Sequence, residues 1–187
     1  MVKLAEIVDI RAGYSFRESL SKVTSGELPV IQFKNISNLY ISDVSAYSSV
    51  SDKKIKASHF LRFDDVLLSN RGNYKASVFK SNEKCIASGV FFVLTIKNKS
   101  FLPEYVATFL NSVEGQNALS ARQNSAGVPS IIRSELTQID IPLIPLEKQK
   151  QIIELFKLYE KEVDTMEKIK QNRKKLVNSI LSQIVKE

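Results

Sequence analysis

The sequence predicts an α+β fold, a mixed globular domain followed by a long C-terminal coiled-coil helix. Residues 146–187 contain neither Pro nor Gly, and their apolar residues recur at alternating steps of four and three. The preceding residues hold more strand-like than helical runs, without the regular alternation of a doubly wound sheet. We therefore expect two domains, residues 1–145 and residues 146–187.

Composition favours a cytoplasmic protein with a real core. Apolar residues make up 43% of the 187-residue chain, and no apolar run approaches the length of a membrane span. Glu6 and Asp9 interrupt the N-terminal apolar residues, so no secretory signal is expected. A lone cysteine, Cys85, excludes an internal disulfide and suits a reducing compartment. The net charge of +7 permits a polyanionic partner without requiring one.

The first half of the chain reads as short strands joined by polar segments. Residues 66–69 and 76–79 are apolar runs that flank a loop at residues 70–75, which predicts two strands around that loop. The other expected elements are a short helix or strand at residues 3–10, a strand at 29–36 and a surface segment at 42–58.

The second half mixes one buried strand with helices. Residues 90–96 are apolar throughout and predict a central strand. Pro103 suits the first turn of a helix whose core face carries Tyr105, Val106, Phe109 and Leu110. The remaining predictions are a helix at residues 116–123, a helical turn at 134–138 and an edge strand at 139–144.

Motifs for catalysis are missing from the sequence. It has no glycine-rich phosphate loop, and one His with one Cys cannot form a zinc cluster. His59 is expected to be a solvated surface residue, Cys85 a small buried one, and the pair Asp64 and Asp65 a turn. We predict that the chain binds rather than catalyses, with no metal and no cofactor.

Three polar loops, at residues 14–17, 70–75 and 122–125, between them contain cations, amides and aromatic rings. Arg can bind guanine through two hydrogen bonds, Asn and Gln can do so with adenine, and Lys and Ser contact phosphates. Polar loops are also ordinary surface features, and Gly72 and Gly127 could simply be turn residues. Composition alone does not decide whether these loops contact DNA or are ordinary surface loops.

The order of segments resembles one known family. LAEIVDIRAGYSF near the start is followed by PVIQFKNI, FDDVLLSNRGNYKASVF, PEYVATFLNS, an Asn-Ser-Ala-Gly turn and IDIPLIPLEKQKQIIELF. This order resembles the target-recognition domain and helix of type I restriction–modification specificity subunits. The most specific parts are D-V-L-L-S-x-R-G at residues 65–72 and I-P-L-x-P-L-x-x-Q-x-x-I at residues 141–152. Family members usually carry two recognition domains and two long helices, whereas this chain has one of each.

The resemblance implies a non-catalytic chain that binds double-stranded DNA. It would direct an adenine-N6 methyltransferase to its site, and a restriction translocase would use the same site. A specificity chain for a methyltransferase–nuclease fusion is indistinguishable at this level, and a coiled-coil adaptor that binds no DNA is the alternative from another class. The residues expected to contact DNA are Tyr14, Arg17, Lys34, Arg71, Asn73, Lys75, Arg122, Gln123 and Asn124.

The C-terminal helix is expected to form an antiparallel homodimer. Residues 154–167 carry five acidic and two basic side chains, a net of −3, whereas residues 168–175 carry five basic ones and no acidic one. An antiparallel pair would place each acidic segment on the other chain's basic segment. Two identical readers related by a two-fold axis would then recognise an inverted repeat. The predicted seam consists of Ile152, Phe156, Tyr159, Val163, Met166, Lys170, Arg173, Val177, Ile180 and Ile184.

Overall fold

The computed structural model describes residues 1–16, 28–36, 38–45, 47–50, 55–124 and 127–184, with the side chain of Ile184 left out. The chain divides into two compact units, Met1–Ile153 and Glu154–Glu187. Mixed sheets and a long C-terminal helix confirm the predicted α+β class. The strands are β1 (Val2–Lys3), β2 (Val8–Ala12), β3 (Leu28–Ile31), β4 (Tyr40–Ile41), β5 (Ser49–Val50), β6 (Val66–Ser69), β7 (Ala76–Phe79), β8 (Ile86–Ala87), β9 (Phe91–Ile96) and β10 (Asp140–Ile141). The helices are α1 (Leu4–Ile7), α2 (Pro103–Asn111), α3 (Val113–Ser120), α4 (Arg133–Leu136) and α5 (Leu146–Ile184).

The largest sheet has five strands in the order β2-β9-β6-β7-β4. Its pairs are antiparallel except for β4, which runs parallel to β7. Both strands predicted around the 70–75 loop are present with the predicted bounds, because each is an apolar run that is buried along its whole length. Strand β9 has a neighbour on both sides, as its continuous apolar run predicts.

Two smaller sheets complete the first unit. Strand β3 lies between β5 and β8 in one of them, and β1 pairs with β10 in the other. The main core cluster includes Phe79, Phe91 and Leu67 together with the thiol of Cys85, which is buried as expected. The Cys85 Sγ atom donates to the Pro29 carbonyl oxygen at 3.2 Å.

Several predicted bounds were wrong. The strand expected at residues 29–36 ends at Ile31, because Gln32 and Asn35 close a 3-10 turn: Asn35 Oδ1 accepts from Gln32 N at 2.8 Å. The segment at 42–58 is not purely a surface one, since Val44 and Val50 are buried and β5 joins a sheet.

The second half needs similar corrections. Helix α3 starts at Val113 rather than at residue 116, because Ser112 caps it by accepting from Gly115 N at 3.2 Å. The helical turn expected at 134–138 is Arg133–Leu136. The edge strand expected at 139–144 is limited to Asp140–Ile141, and the Pro142 carbonyl accepts from the Tyr105 hydroxyl at 3.0 Å instead.

Helix α5 begins at Leu146, within the I-P-L-x-P-L-x-x-Q-x-x-I motif. Gln149 in its first turns has no exposed surface. Its side-chain amide donates to the carbonyls of Ser100 (2.7 Å) and Ile144 (2.9 Å), and its oxygen accepts from Leu102 N at 2.9 Å. The motif glutamine therefore anchors the helix start to the segment before α2. In the described part of the chain, no helix has the length and hydropathy needed to cross a membrane.

Candidate functional site

The loop at residues 70–75 is held at its base and exposed at its tip. The Ser69 hydroxyl donates to the Asn73 carbonyl and accepts from Lys75 N, both at 2.8 Å, which closes the loop across the ends of β6 and β7. Gly72 has φ of +70°, a conformation that favours glycine. The side chains of Arg71, Asn73 and Lys75 are exposed. This predicted loop therefore presents two cations and an amide to solvent.

The segment at residues 122–131, of which residues 122–124 and 127–131 are described, contacts that loop. Gly72 N donates to the Pro129 carbonyl at 2.8 Å, and Ile131 N donates to the Asn70 carbonyl at 3.0 Å. Asn124 and Ser130 pair as an isolated antiparallel bridge. The structure thus brings together two of the three loops that the sequence singled out, although about 50 residues separate them in the chain.

Side chains also join these two loops. The Tyr74 hydroxyl donates to Gln123 Oε1 at 3.4 Å, and burial raises the pKa of Tyr74, which keeps the phenol protonated as a donor. Arg122 is half-buried and donates to the Ala118 carbonyl at 3.4 Å, while Asn124 is exposed. The combined surface therefore carries six of the predicted DNA-contacting residues, namely Arg71, Asn73, Lys75, Arg122, Gln123 and Asn124.

Tyr14, another predicted DNA contact, is used in packing. Its ring is half-buried and meets those of Phe16 and His59 edge-on, at centroid distances of 4.9 and 5.1 Å. His59 was expected to be a solvated surface residue, but this contact leaves it half-buried. A role for Tyr14 in contacting DNA stays a prediction, and Arg17 lies outside the described residues.

Lys34 is exposed on the 3-10 turn that follows β3. It borders an open cleft of about 470 Å³ whose other lining residues are Gln32, Phe33, Ser88 and Val90. Phe33 is 40% exposed, so the cleft combines an accessible ring with a cation. Such a pair can accommodate a nucleotide unit, with the ring against the sugar or base and the cation at the phosphate.

The turn at residues 88–90 was not singled out from the sequence, although the Ser88-Gly89 dipeptide is a turn signal. Ser88 N donates to the Ile31 carbonyl at 2.9 Å, one residue before the Lys34 cleft begins. Tyr14 bridges to Ser88, and Asn70 N donates to the Val90 carbonyl at 2.8 Å. This turn therefore contacts segments next to Tyr14, Lys34 and the 70–75 loop.

Asp65, at the start of the D-V-L-L-S-x-R-G motif, serves the fold rather than the exposed surface. It is 1% exposed, and its carboxylate accepts from Arg11 Nη2 (2.6 Å), Thr95 Oγ1 (2.5 Å) and Arg62 N (2.9 Å). Asp64, the neighbouring residue, has φ of +72° and pairs with Lys80. The expected turn is present, but the buried ion pair of Asp65 was missed because its partner is 54 residues away.

The described residues show how metal-ligating and nucleophilic side chains are placed. They contain no group of three or more His, Cys, Asp or Glu side chains that could hold a metal ion. Burial raises the pKa of the Cys85 thiol to about 12, so the thiolate nucleophile is scarce at neutral pH.

Helix α5 exposes a broad apolar stripe. Of the predicted seam, Tyr159, Val163 and Met166 are 59%, 44% and 60% exposed. Leu155, Ile169 and Leu176, which the seam did not include, lie one residue before seam positions and are also exposed. The stripe is therefore wider than predicted, and Lys170 and Arg173 lie within it. Its pairing with another helix stays a prediction.

Comparison with known proteins gives the family. The family model described as "Type I restriction modification DNA specificity domain" matches residues 1–173. The chain belongs to this family. It is 25% identical over 180 residues to the type I restriction enzyme StySPI specificity subunit of Salmonella potsdam, covering 92% of this chain and 39% of that protein. The resemblance inferred from the sequence is thus confirmed.

Solved structures support the same fold. A chain from a study of complex assembly and conformational transition in the type I R-M system matches with a TM-score of 0.62 at 22% identity, covering 91% of this chain and 40% of that one. The HsdS subunit from Thermoanaerobacter tengcongensis matches with a TM-score of 0.57 at 22% identity, covering 90% and 38%. This chain spans about two fifths of the length of each of these relatives.

Proposed function

We propose that this chain is a non-catalytic DNA-specificity subunit of a type I restriction–modification system, acting in the cytoplasm. The observation that supports it best is the shared surface formed by the 70–75 and 122–131 loops. Arg71, Asn73 and Gln123 provide the planar donors and acceptors that base edges in the major groove require. Lys75 and Arg122 provide cations for phosphates.

DNA binding by this surface can be measured on the full chain with duplex DNA at increasing salt. A protein that neutralises several phosphates loses affinity steeply as salt rises. Substitution of Arg71 by Ala should weaken binding to the preferred duplex by about 5- to 150-fold, since one base-reading Arg contributes about 1–3 kcal/mol.

Arg62→Ala is the matched control, because Arg62 is an exposed arginine before β6, at the opposite end of that strand from the loop. It should leave affinity within about twofold. Retention of full affinity and sequence preference by Arg71→Ala would refute the surface assignment. Absence of any salt-dependent duplex binding by the wild-type chain would favour the adaptor function instead.

The partners in this proposal are an adenine-N6 methyltransferase and a restriction translocase. The chain would select the sequence, while the methyltransferase would extrude the target base and transfer the methyl group. A methyltransferase–nuclease fusion would use the same selection. Co-purification of the chain with a type I methyltransferase, and adenine methylation at one fixed sequence only when both are present, are the expected results.

The proposal includes a homodimer through helix α5. An antiparallel pair centred on Met166 would place Lys170 opposite Glu162 of the second copy, because these two residues lie four positions on either side of Met166. The same register would set Arg173 beside Tyr159 and Glu160 of the second copy, so both cations in the stripe would meet acidic or aromatic groups. A helix of 39 residues is about 58 Å long, which limits the gap between two half-sites to roughly 17 base pairs. Sedimentation as a monomer at micromolar concentration would contradict this part of the proposal.

A further inference from the structure

Asn70 lies at the point where the two candidate DNA-reading loops meet the turn at residues 88–90. Its backbone N donates to the Val90 carbonyl at 2.8 Å, and its side-chain amide donates to the Gly89 carbonyl at 3.0 Å. Its own carbonyl accepts from Ile131 N at 3.0 Å. One residue is therefore bonded to the 88–90 turn and to the end of the 122–131 loop, while it begins the 70–75 loop.

The 88–90 turn is fixed from its other side as well. Ser88 N donates to the Ile31 carbonyl at 2.9 Å, and Tyr14 N donates to the Ala87 carbonyl at 2.7 Å. A Cβ atom on Gly13 would lie 2.1 Å from the Ser88 carbonyl oxygen, so the two backbones touch and only glycine fits. Backbone contacts therefore hold the turn on this side too, and the turn gives the 70–75 loop a fixed point of attachment.

Among the described residues, the Asn70 side chain makes one hydrogen bond. Its Oδ1 atom is buried and has no hydrogen-bond partner among the described residues, so the bond from Nδ2 to Gly89 sets its orientation. Removing that bond leaves the Gly89 carbonyl without the amide donor and loosens the attachment of the 70–75 loop. No cation is lost, because Arg71, Lys75 and Arg122 all remain.

Resting on the proposed function, we propose that Asn70 is a positioning residue for sequence recognition. Two-bond contacts to a base require the donor side chain to be held within about half an ångström, whereas phosphate contacts tolerate displacement. Loss of the Asn70–Gly89 bond therefore lowers discrimination between DNA sequences more than it lowers binding to DNA in general. The tie through Ile131 extends the effect to the second loop.

The experiment compares the full-length wild-type chain with Asn70→Ala and with the milder Asn70→Ser. A randomised duplex pool is used to find the preferred sequence of the wild type, and affinities for that duplex and for unrelated duplex are then measured at one salt concentration. Asn70→Ala should lower the ratio of the two affinities by about 10-fold or more, since each well-placed base contact contributes roughly 5- to 150-fold discrimination. Its affinity for unrelated duplex should stay within about threefold, and Asn70→Ser should shift the ratio in the same direction.

Asp65→Asn is the control for lost stability. Asp65 is buried and immediately precedes β6, whereas Asn70 immediately follows it. The affinity ratio of Asp65→Asn should equal that of the wild type although its unfolding midpoint falls. An unchanged ratio in both Asn70 variants would overturn the positioning role, as would equal losses for preferred and unrelated duplex. Failure of the wild type to prefer any sequence would instead refute the proposed function itself.

Discussion

The buried ion pair between Arg11 and Asp65 gives the most quantitative prediction. The Asp65 side chain has no exposed surface and that of Arg11 is 28% exposed, so solvent screens the pair only weakly. Asp65→Ala would leave the Arg11 guanidinium, the Thr95 hydroxyl and Arg62 N without their carboxylate. Removing one partner of a buried pair costs about 3–5 kcal/mol in the free energy of unfolding.

That cost corresponds to a fall in Tm of roughly 6–20 °C, at about 2–4 °C per kcal/mol for a domain of this size. Urea unfolding followed by circular dichroism measures the loss in the free energy of unfolding directly. Arg11→Met combined with Asp65→Leu should recover most of the loss, since it removes both charges together. Lys97→Ala is the control, because the exposed Lys97–Asp9 pair at 3.4 Å contributes no more than about 0.5 kcal/mol. A cost below about 1 kcal/mol for Asp65→Ala, or no recovery in the double variant, would show that the Arg11–Asp65 pair does not stabilise the fold in this way.

Three further predictions concern other parts of the chain. Gln149→Ala should lower the free energy of unfolding by about 2–4 kcal/mol, since it leaves two carbonyls and one N–H unpaired in a buried site. The control is Gln151→Ala, because the Gln151 side chain is exposed; in the same urea titration it should change the free energy of unfolding by less than about 0.5 kcal/mol. Cys85 should resist alkylation at pH 8 until the protein is unfolded, and rapid alkylation of the native chain would show that the thiol is not buried. Because the folded-state pKa of Cys85, about 12, exceeds its ordinary value of 9.0, its contribution to the free energy of unfolding should be complete below pH 9 and fall between pH 9 and 12. Lys170→Glu should weaken the proposed dimer about 10- to 100-fold in sedimentation equilibrium, because two attractive pairs become repulsive. The double variant Glu162→Lys with Lys170→Glu should restore dimer affinity, and the control Lys175→Glu should have little effect. A double variant as weak as the single one would exclude the register centred on Met166.

Local sequence patterns predicted the elements that are set by local chemistry. Strands β6 and β7 have the predicted bounds because their apolar runs stop at polar turn residues on both sides. Helix α5 followed from a long stretch without Pro or Gly, and α2 from Pro103 at its first position. Strand β3 was predicted too long, since Phe33 looks like a strand residue while Gln32 and Asn35 close a turn.

The candidate site was only partly predictable, because much of it depends on contacts between distant segments. Composition identified the 70–75 and 122–125 loops, but the bonds of Gly72 with Pro129 and of Asn70 with Ile131 have no signal in a single sequence. Asp65 resembled an exposed turn residue, and only the fold brings Arg11 to it. Tyr14 was chosen as an aromatic residue in a polar loop, whereas its half-buried ring packs against Phe16 and His59.

In the proposed function, two copies of this chain recognise an inverted repeat through the 70–75 and 122–131 loops. The most direct test is to incubate the full-length chain, with its type I methyltransferase, with duplexes that carry a long random segment, and to sequence the duplexes that become methylated at adenine. We expect two identical half-sites in opposite orientation, separated by a fixed gap shorter than roughly 17 base pairs. A single asymmetric site would contradict the homodimer, and methylation without any enriched sequence would contradict DNA recognition by this chain.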